Sequence, residues 1–420
     1  MNSASQGGPG KSRPRRLLLC LDGVPHKLIE RARQRGLFEA FGSPTRLLSP
    51  FPTMTNVALS AMLGATPPAG YESLYFDRND RQFHGGIRKY LGRRTPDKIP
   101  SSYMDELDYQ EPLAFEFLIY VAPETVWRTD MQRFHEKFRA APQTRDFFAF
   151  LKATDGLLHA QGPERLNIAL QSLDTILKDI REFCGNETEV VLFSDHGMNL
   201  EENQRVDLVT HLRRKGLKVT GRFENGGRTV AVPAFGLCSY AAVYCGTPDV
   251  VPEAAEVLIE VPGVDFVVSR EGESVILNSA RGQARIEKSQ NDLYRYVSLK
   301  GDPLALEGRV KELQSEGKAD NAGYATSLDW FQKTNADDYP NAVVNIYSSL
   351  MTARVKHTAD ILISLHDGYY YGWSPFGKMV RLAATHGNAL ASSSNAFMMS
   401  THRQLPECVR ADDARSWLKE

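Results

Sequence analysis

The chain has 420 residues, 42% of them hydrophobic and 24% charged, with a formal net charge of -1 and a pI near 6.8. Those are globular proportions, enough for one large domain or two ordinary ones. Balanced charge excludes a bulk attraction to nucleic acid or to an anionic membrane, so neither is expected as a stable partner.

Residues 1–14 read as a disordered leader, and the basic run at 11–16 as a solvated tail. "GGPGKS" is close to a phosphate-binding loop, but Ser5 stands where that loop needs Gly, and no strand precedes it. The apolar run 16–21 predicts a buried strand that stops on Asp22-Gly23. Helical spacing follows in "PHKLIERARQRGLFEAF" (Leu28, Ile29, Ala32, Leu37), with a Gly stop. Leu47 and Leu48 lead into a Pro-broken loop, "SPFPTMTN", and a helix is expected from near Asn56. Residues 68–112, rich in Gly, Pro, Tyr and charge, predict a long irregular excursion.

Residues 115–123 ("FEFLIYVAP") read as a buried strand, and "FFAFLKATD" runs with apolar density to Asp155. An amphipathic helix is predicted over 163–183, and a second acid-tipped strand over 190–193, ending in Ser194-Asp195-His196-Gly197. Beyond it the pattern reads charged helix (204–214), strand ("CSYAAVYC"), helix ("PDVVPEAAEVLIEV") and hairpin ("VDFVVSREGESVILNS"). A helix ("NAVVNIYSSLM"), a strand with an aromatic turn ("ADILISLHDGYYYG") and "RLAATHGNALA" complete it. Alternating strands and helices argue for an α/β domain with a mostly parallel sheet, whose ligands gather beyond the carboxyl ends of the strands. No internal repeat is visible. The five cysteines are scattered without a C-x-x-C pair, so reduced thiols are expected. With no membrane span and no signal-peptide core, a cytoplasmic protein is expected.

The strand ends collect chemistry. Asp22 and Asp195-His196 each follow a strand; Asp155 and His159 are four apart, on one face if helical; His386-Gly387 follows an apolar stretch; Thr53 and Thr55 precede a helix. A turn alone would account for an Asp-His-Gly, and a helix cap for either Thr. Together they are three carboxylates, three imidazoles and a hydroxyl, a donor set that suits zinc, with Mn2+ or Fe as alternatives at one site. Six side-chain ligands suffice for two metals, the arrangement that clamps the attacking and leaving oxygens of a displacement at phosphorus.

In order and context these motifs resemble the alkaline phosphatase superfamily, and within it the type I phosphodiesterase/nucleotide pyrophosphatase family. The resemblance rests on "CLDG", "PFPTMTN", "TDGLLHAQG", "SDHGM" and "THGNAL" and runs from about residue 16 to 401. It implies a three-layer α/β sandwich with a mostly parallel central sheet. Residues 15–420 would form one catalytic domain, with an elaborated or inserted region over about 220–340 ahead of the last ligand. One metal would be held by Asp155, His159 and His386, the other by Asp22, Asp195, His196 and the Thr55 oxygen. Thr55 would be the nucleophile and pass through a phosphothreonine, with Asn56 contacting the substrate or capping the helix.

The implied function is hydrolysis of a small-molecule phosphate ester, a diester or pyrophosphate before a monoester, with two Zn2+. A phosphomonoesterase, phosphonate hydrolase or phosphomutase of the same superfamily stays open, as does a catalytically silent metal- or ligand-binding protein. No Arg occupies a position that marks it as a phosphate clamp, and no sulfatase nucleophile motif is present. His366-Asp367 are expected to support the site or to form a turn, with a further ligand pair as the alternative. His84, His211 and His357 are expected at the surface. Tyr71, Tyr75, Phe76 and Phe83, with the Tyr369–Trp373 turn, are candidates to line a substrate pocket.

Overall fold

The structure, a computed structural model, describes residues 15–86, 101–112, 118–119, 122–224, 227–373 and 381–419. Strand β1 (Arg16–Leu21) is buried along its whole length. Leu17, Leu19 and Leu21 pack to one side and Leu18 and Cys20 to the other, which is why the run is continuously apolar rather than alternating. Helix α1 (His26–Gln34) follows, then β2 (Thr45–Leu48) and α2 (Thr55–Leu63). Next come β3 (Tyr109–Gln110), α3 (Pro123–Ala140), β4 (Phe147–Leu151), α4 (Ala153–Cys184) and β5 (Glu189–Ser194). After a long excursion the chain returns as β6 (Asn395–Ser400) and β7 (Cys408–Arg410).

These seven strands form one sheet in the order β7-β2-β6-β5-β1-β4-β3. It is parallel except for β6, which runs antiparallel between β2 and β5. Helices α1, α3 and α4 cover one face; α2 and the helix Arg415–Lys419 cover the other, giving the expected three layers. Leu21 pairs with both Leu151 and Ser194, so β1, β4 and β5 end level. The residues that follow them therefore meet at one edge.

Residues 218–365 supply most of a second, nine-stranded sheet. Its central strands are Ser274–Ser279, Val264–Glu271, Ile361–Leu365 and Tyr240–Cys245, and all its pairs are antiparallel except Lys218–Val219 with Thr229–Ala231. Helices Ser327–Thr334 and Ala342–Met351 pack on one face and Val250–Ile259 on the other.

Several expectations change. Most of the strand expected over 115–123 lies outside the described residues; of the rest, Leu118 is exposed and Pro123 opens α3. Proline suits that first helical position because it has no N–H to leave unsatisfied. The charged helix is a short strand, Gln204–Arg205, followed by a helix, Leu208–Arg214, which Asp207 caps through the Thr210 N–H. The aromatic turn pairs as a strand, Tyr369–Gly372. The leader, residues 1–14, lies outside the described residues, as does 87–100 of the excursion. Within the excursion, Leu74–Asp77 and Gln82–Gly85 form a hairpin. Tyr71, Tyr75 and Phe76 are buried there; Phe76 packs against Phe223 and Tyr244, while Tyr71 and Tyr75 line a small cavity with Glu72, Tyr240 and Tyr244. Among the described residues, no helix is long and apolar enough to cross a membrane, and all five cysteines are free.

Candidate metal centre

The level ends of β1 and β5 deliver Asp22 and Asp195, both fully buried. Gly23, with φ of +67, turns the chain beneath them, and its N–H donates to Asp195 Oδ1 at 3.1 Å. Helix α4 begins just past the end of β4. Its third residue is Asp155, where the helix dipole favours a carboxylate, and His159 lies one turn further along the same face. Thr154 Oγ1 ties this turn to Asp22 by donating to the Asp22 carbonyl (2.7 Å). Thr55 is the first residue of α2, and His386 arrives from the segment that precedes β6.

All seven residues named from the motifs come together. His159 Nε2 stands 3.1 Å and His386 Nε2 3.6 Å from Asp155 Oδ1. His196 Nε2 stands 3.4 Å from Asp22 Oδ1 and 3.3 Å from Asp195 Oδ2. Thr55 Oγ1 is 3.3 Å from both Asp22 Oδ1 and His196 Nε2. Two ligand groups emerge, Asp155-His159-His386 and Asp22-Asp155-His196, with Asp155 reaching both. The rings of His196 and His386 stack at 3.8 Å between them.

The imidazoles share one orientation. His159 Nδ1 donates to the Ala384 carbonyl (2.7 Å), His196 Nδ1 to that of Gly197 (2.9 Å) and His386 Nδ1 to that of Thr53 (2.8 Å). A carbonyl only accepts, so each Nδ1 carries the hydrogen, and in its neutral form each ring turns its Nε2 lone pair inward. This is how metal-binding histidines are held. The inward lone pairs face carboxylate oxygens, of which Asp155 Oδ1 and Asp195 Oδ2 are buried and accept no hydrogen bond among the described residues. Acceptor facing acceptor calls for positive charge between them.

The electrostatics agree. Burial, then Asp195 and Asp155, push the Asp22 carboxyl well above its usual range, and burial raises Asp195. Burial opposes charge on His196, but Asp195, Asp22 and Asp155 outweigh it and push the imidazole up to about 10. Burial and the neighbouring His196 hold His386 well below its usual value. Burial would raise Asp155, yet His159, His386 and His196 keep it well below the ordinary carboxylate range. A proton on His196 serves only part of this cluster; divalent cations serve all of it. Carboxylate and imidazole without thiolate is a zinc-type donor set, so the residues fit the metal the motifs imply.

The two threonines differ. Thr53 is fully buried: its hydroxyl donates to the Asn388 carbonyl (3.2 Å) and accepts the Gly387 N–H (2.8 Å). Thr55 is half-buried and faces the cluster. Asn56 lies inside α2, whose N-cap is Met54, and its Oδ1 accepts from the Tyr103 hydroxyl (2.8 Å), leaving the amide NH2 as its donor end. His366 is exposed, whereas Asp367 bonds to Asn388 and Ser392 in the segment carrying His386. His357 is not a surface residue: it is buried, stacked on Tyr75, and its Nδ1 accepts the Arg78 N–H (3.2 Å). His84 pairs with Asp80 on the hairpin, and His211 is half-buried near Glu260. The sequence gives no direct sign of the carbonyls of Thr53, Gly197 and Ala384 that orient the rings, because every residue has a carbonyl. Thr53, two residues from Thr55 in the same loop, was the available hint.

Comparison with solved structures places this fold. Phosphonoacetate hydrolase from Sinorhizobium meliloti 1021 is 14% identical, with 97% of this chain and 95% of that chain covered and a TM-score of 0.53. Murine ectonucleotide pyrophosphatase/phosphodiesterase 5 is 11% identical over 96% and 94%, also with a TM-score of 0.53, and the human protein 12% over 96% and 93%, at 0.51. No curated protein sequence matches. The family model for type I phosphodiesterase/nucleotide pyrophosphatase matches residues 75–370. Fold and family match together define an alkaline phosphatase superfamily protein, a metal-dependent phosphoryl-transfer hydrolase. The chain belongs to the type I phosphodiesterase/nucleotide pyrophosphatase family. Asp22, Thr55 and His386 lie outside the matched residues, and it is geometry that joins them to Asp155, His159, Asp195 and His196.

Proposed function

We propose that the protein hydrolyses small phosphodiesters or pyrophosphates, with Thr55 as nucleophile and two divalent ions, zinc in the first instance. Asp155, His159 and His386 would hold one ion; Asp22, Asp195, His196 and Thr55 Oγ1 would hold the other. The observation that carries this reading is the convergence of the Nε2 atoms on carboxylate oxygens of which two, Asp155 Oδ1 and Asp195 Oδ2, are buried and accept no hydrogen bond among the described residues. Bound there, the ions would lower the pKa of the Thr55 hydroxyl and offset charge gathering on the phosphoryl oxygens.

The chain's own groups do the rest. Thr55 Oγ1 attacks phosphorus; the Oγ1–P bond forms as the bond to the leaving oxygen breaks, and that oxygen keeps the electron pair. The start of α2 favours the anionic group through its dipole, and the Asn56 amide can donate to a non-bridging oxygen. Water then cleaves the Oγ1–P bond, restoring the hydroxyl and releasing a monoester. The diester preference is supported by the charges that act on the cluster: among the described residues these are chiefly the Asp and His side chains themselves, with no Arg or Lys among the strongest. A dianionic monoester would call for such a cation. The residues from 15 onward would act as one catalytic domain, and five unpaired cysteines support a reducing compartment such as the cytoplasm.

The test is steady-state kinetics on one zinc-loaded preparation. kcat/KM for bis(4-nitrophenyl) phosphate is expected to exceed that for 4-nitrophenyl phosphate, and the reverse order would overturn the diesterase reading. Phosphonoacetate belongs in the same assay, because a hydrolase of that compound shares the fold.

A further inference from the structure

His386 is the ligand least supported by regular structure. It sits in a segment without helix or strand, just before Gly387, whose φ of +124 only glycine adopts freely. The Thr53 carbonyl fixes one end of the His386 ring, and the Ser239 N–H donates to the His386 carbonyl at 2.6 Å. On the far side of Gly387 the Asn388 carbonyl accepts from Thr53 Oγ1 (3.2 Å), the Ala389 N–H donates to Ser364 Oγ (3.2 Å), and the fully buried Asn388 side chain donates through Nδ2 to the Leu365 carbonyl (2.9 Å) and to Asp367 Oδ1 (3.0 Å). The same Asp367 oxygen accepts from Ser392 Oγ (2.9 Å). One carboxylate thus ties two points of the loop to the end of the strand Ile361–Leu365, in the nine-stranded sheet.

We propose that Asp367 is a positioning residue for His386. Among the described residues, its hydrogen bonds go to Asn388 and Ser392, and none goes to the candidate metal ligands or to Thr55. It acts by pinning Asn388 and Ser392, so that the freedom of Gly387 does not reach the imidazole. Metal–ligand distances tolerate only ~0.2 Å, so a loop hinged at glycine needs such an anchor. A carboxylate suits the task because two neutral donors bond to it more strongly than to an uncharged oxygen. This inference rests on the metal-centre reading above.

The test is zinc binding by the full-length protein, stripped by chelation and titrated against a competing chelator, for wild type, Asp367→Ala and Asp367→Asn. The zinc-free melting temperatures are recorded alongside. Wild type is expected to take two ions. Asp367→Ala should bind one with wild-type affinity and the other ~10–100-fold more weakly, the loss usual when a supporting hydrogen bond is removed. Asp367→Asn, which keeps an acceptor oxygen, should stay close to wild type. Undiminished affinity for both ions in Asp367→Ala would overturn the proposal. So would a loss in Asp367→Asn equal to that in Asp367→Ala, or a loss at both sites that tracks a fall in zinc-free melting temperature. A wild-type protein that binds no zinc would instead remove the metal-centre reading itself, a result distinct from full affinity in the variant.

Discussion

Thr53 and Thr55 are separated by one residue and have opposite tasks. The Thr53 hydroxyl is spent on Gly387 and Asn388, and its carbonyl on His386, whereas the Thr55 hydroxyl points at Asp22 and His196. Thr55→Ala is therefore expected to lose on the order of 10^3-fold or more in kcat/KM while keeping its metal, because the proposed nucleophile is removed and the six proposed side-chain ligands stay. Thr53→Ala should melt earlier, by about the 1–3 kcal/mol of a buried polar group left without its partner, and should hold metal less tightly yet still turn over when metal is in excess. Kinetics and metal analysis on both variants decide the matter. A dead Thr53→Ala with full metal, beside an active Thr55→Ala, would reverse the assignment.

Among the elements that build the site, the turn after β5 is tightly constrained. A Cβ on Gly197 would stand 2.5 Å from the Ser392 carbonyl oxygen and 2.8 Å from that of Asn395. Both are backbone atoms, which cannot swing aside as a side-chain tip can. Gly197→Ala is expected to cost ~1–3 kcal/mol through overpacking and to disturb His196, the residue before it. A variant that melts with wild type and retains both metals would refute this. Elements like this one were legible in the sequence because period and chemistry coincide there: β1, β5 and the hairpin from Val264 to Ser279 are apolar runs bounded by Asp, Gly or Ser. Helix α3 was not. Its apolar residues (Val126, Trp127, Met131, Phe134, Phe138) do fall at helical spacing, but they stand singly or as a pair among charged residues, and the face they form packs against α4. The candidate site was legible in part for the same reason as β1, since Asp22, Asp195 and His196 stand at strand ends. Its clamps were not: backbone carbonyls leave no trace in composition, and Asp367 acts through a loop 21 residues further on.

For the molecule as a whole, the buried charge outside the site sets a pH dependence. Asp130, on α3, is fully buried, and its carboxyl accepts from the Tyr109 hydroxyl of β3. Burial, then the nearby Glu111, push it up to about 8. The folded chain therefore holds a proton that the unfolded chain, with an ordinary value of about 3.9, releases. The stability this supplies is complete below about pH 4 and is lost as pH rises to about 8. Denaturant midpoints of the zinc-free protein should fall across that interval, and Asp130→Asn should fall less; parallel curves would sink the assignment. The central sheet has a different consequence, one of timing. Strand β2 pairs only with β6 and β7, and β6 alone links it to β5. Until residues 395–410 have left the ribosome, β2 has no neighbour in its sheet and β5 presents a bare edge. During synthesis, then, the nascent chain must carry Asp22, Thr55, Asp155 and Asp195 with the sheet still open, and the fold closes only after His386 has been made.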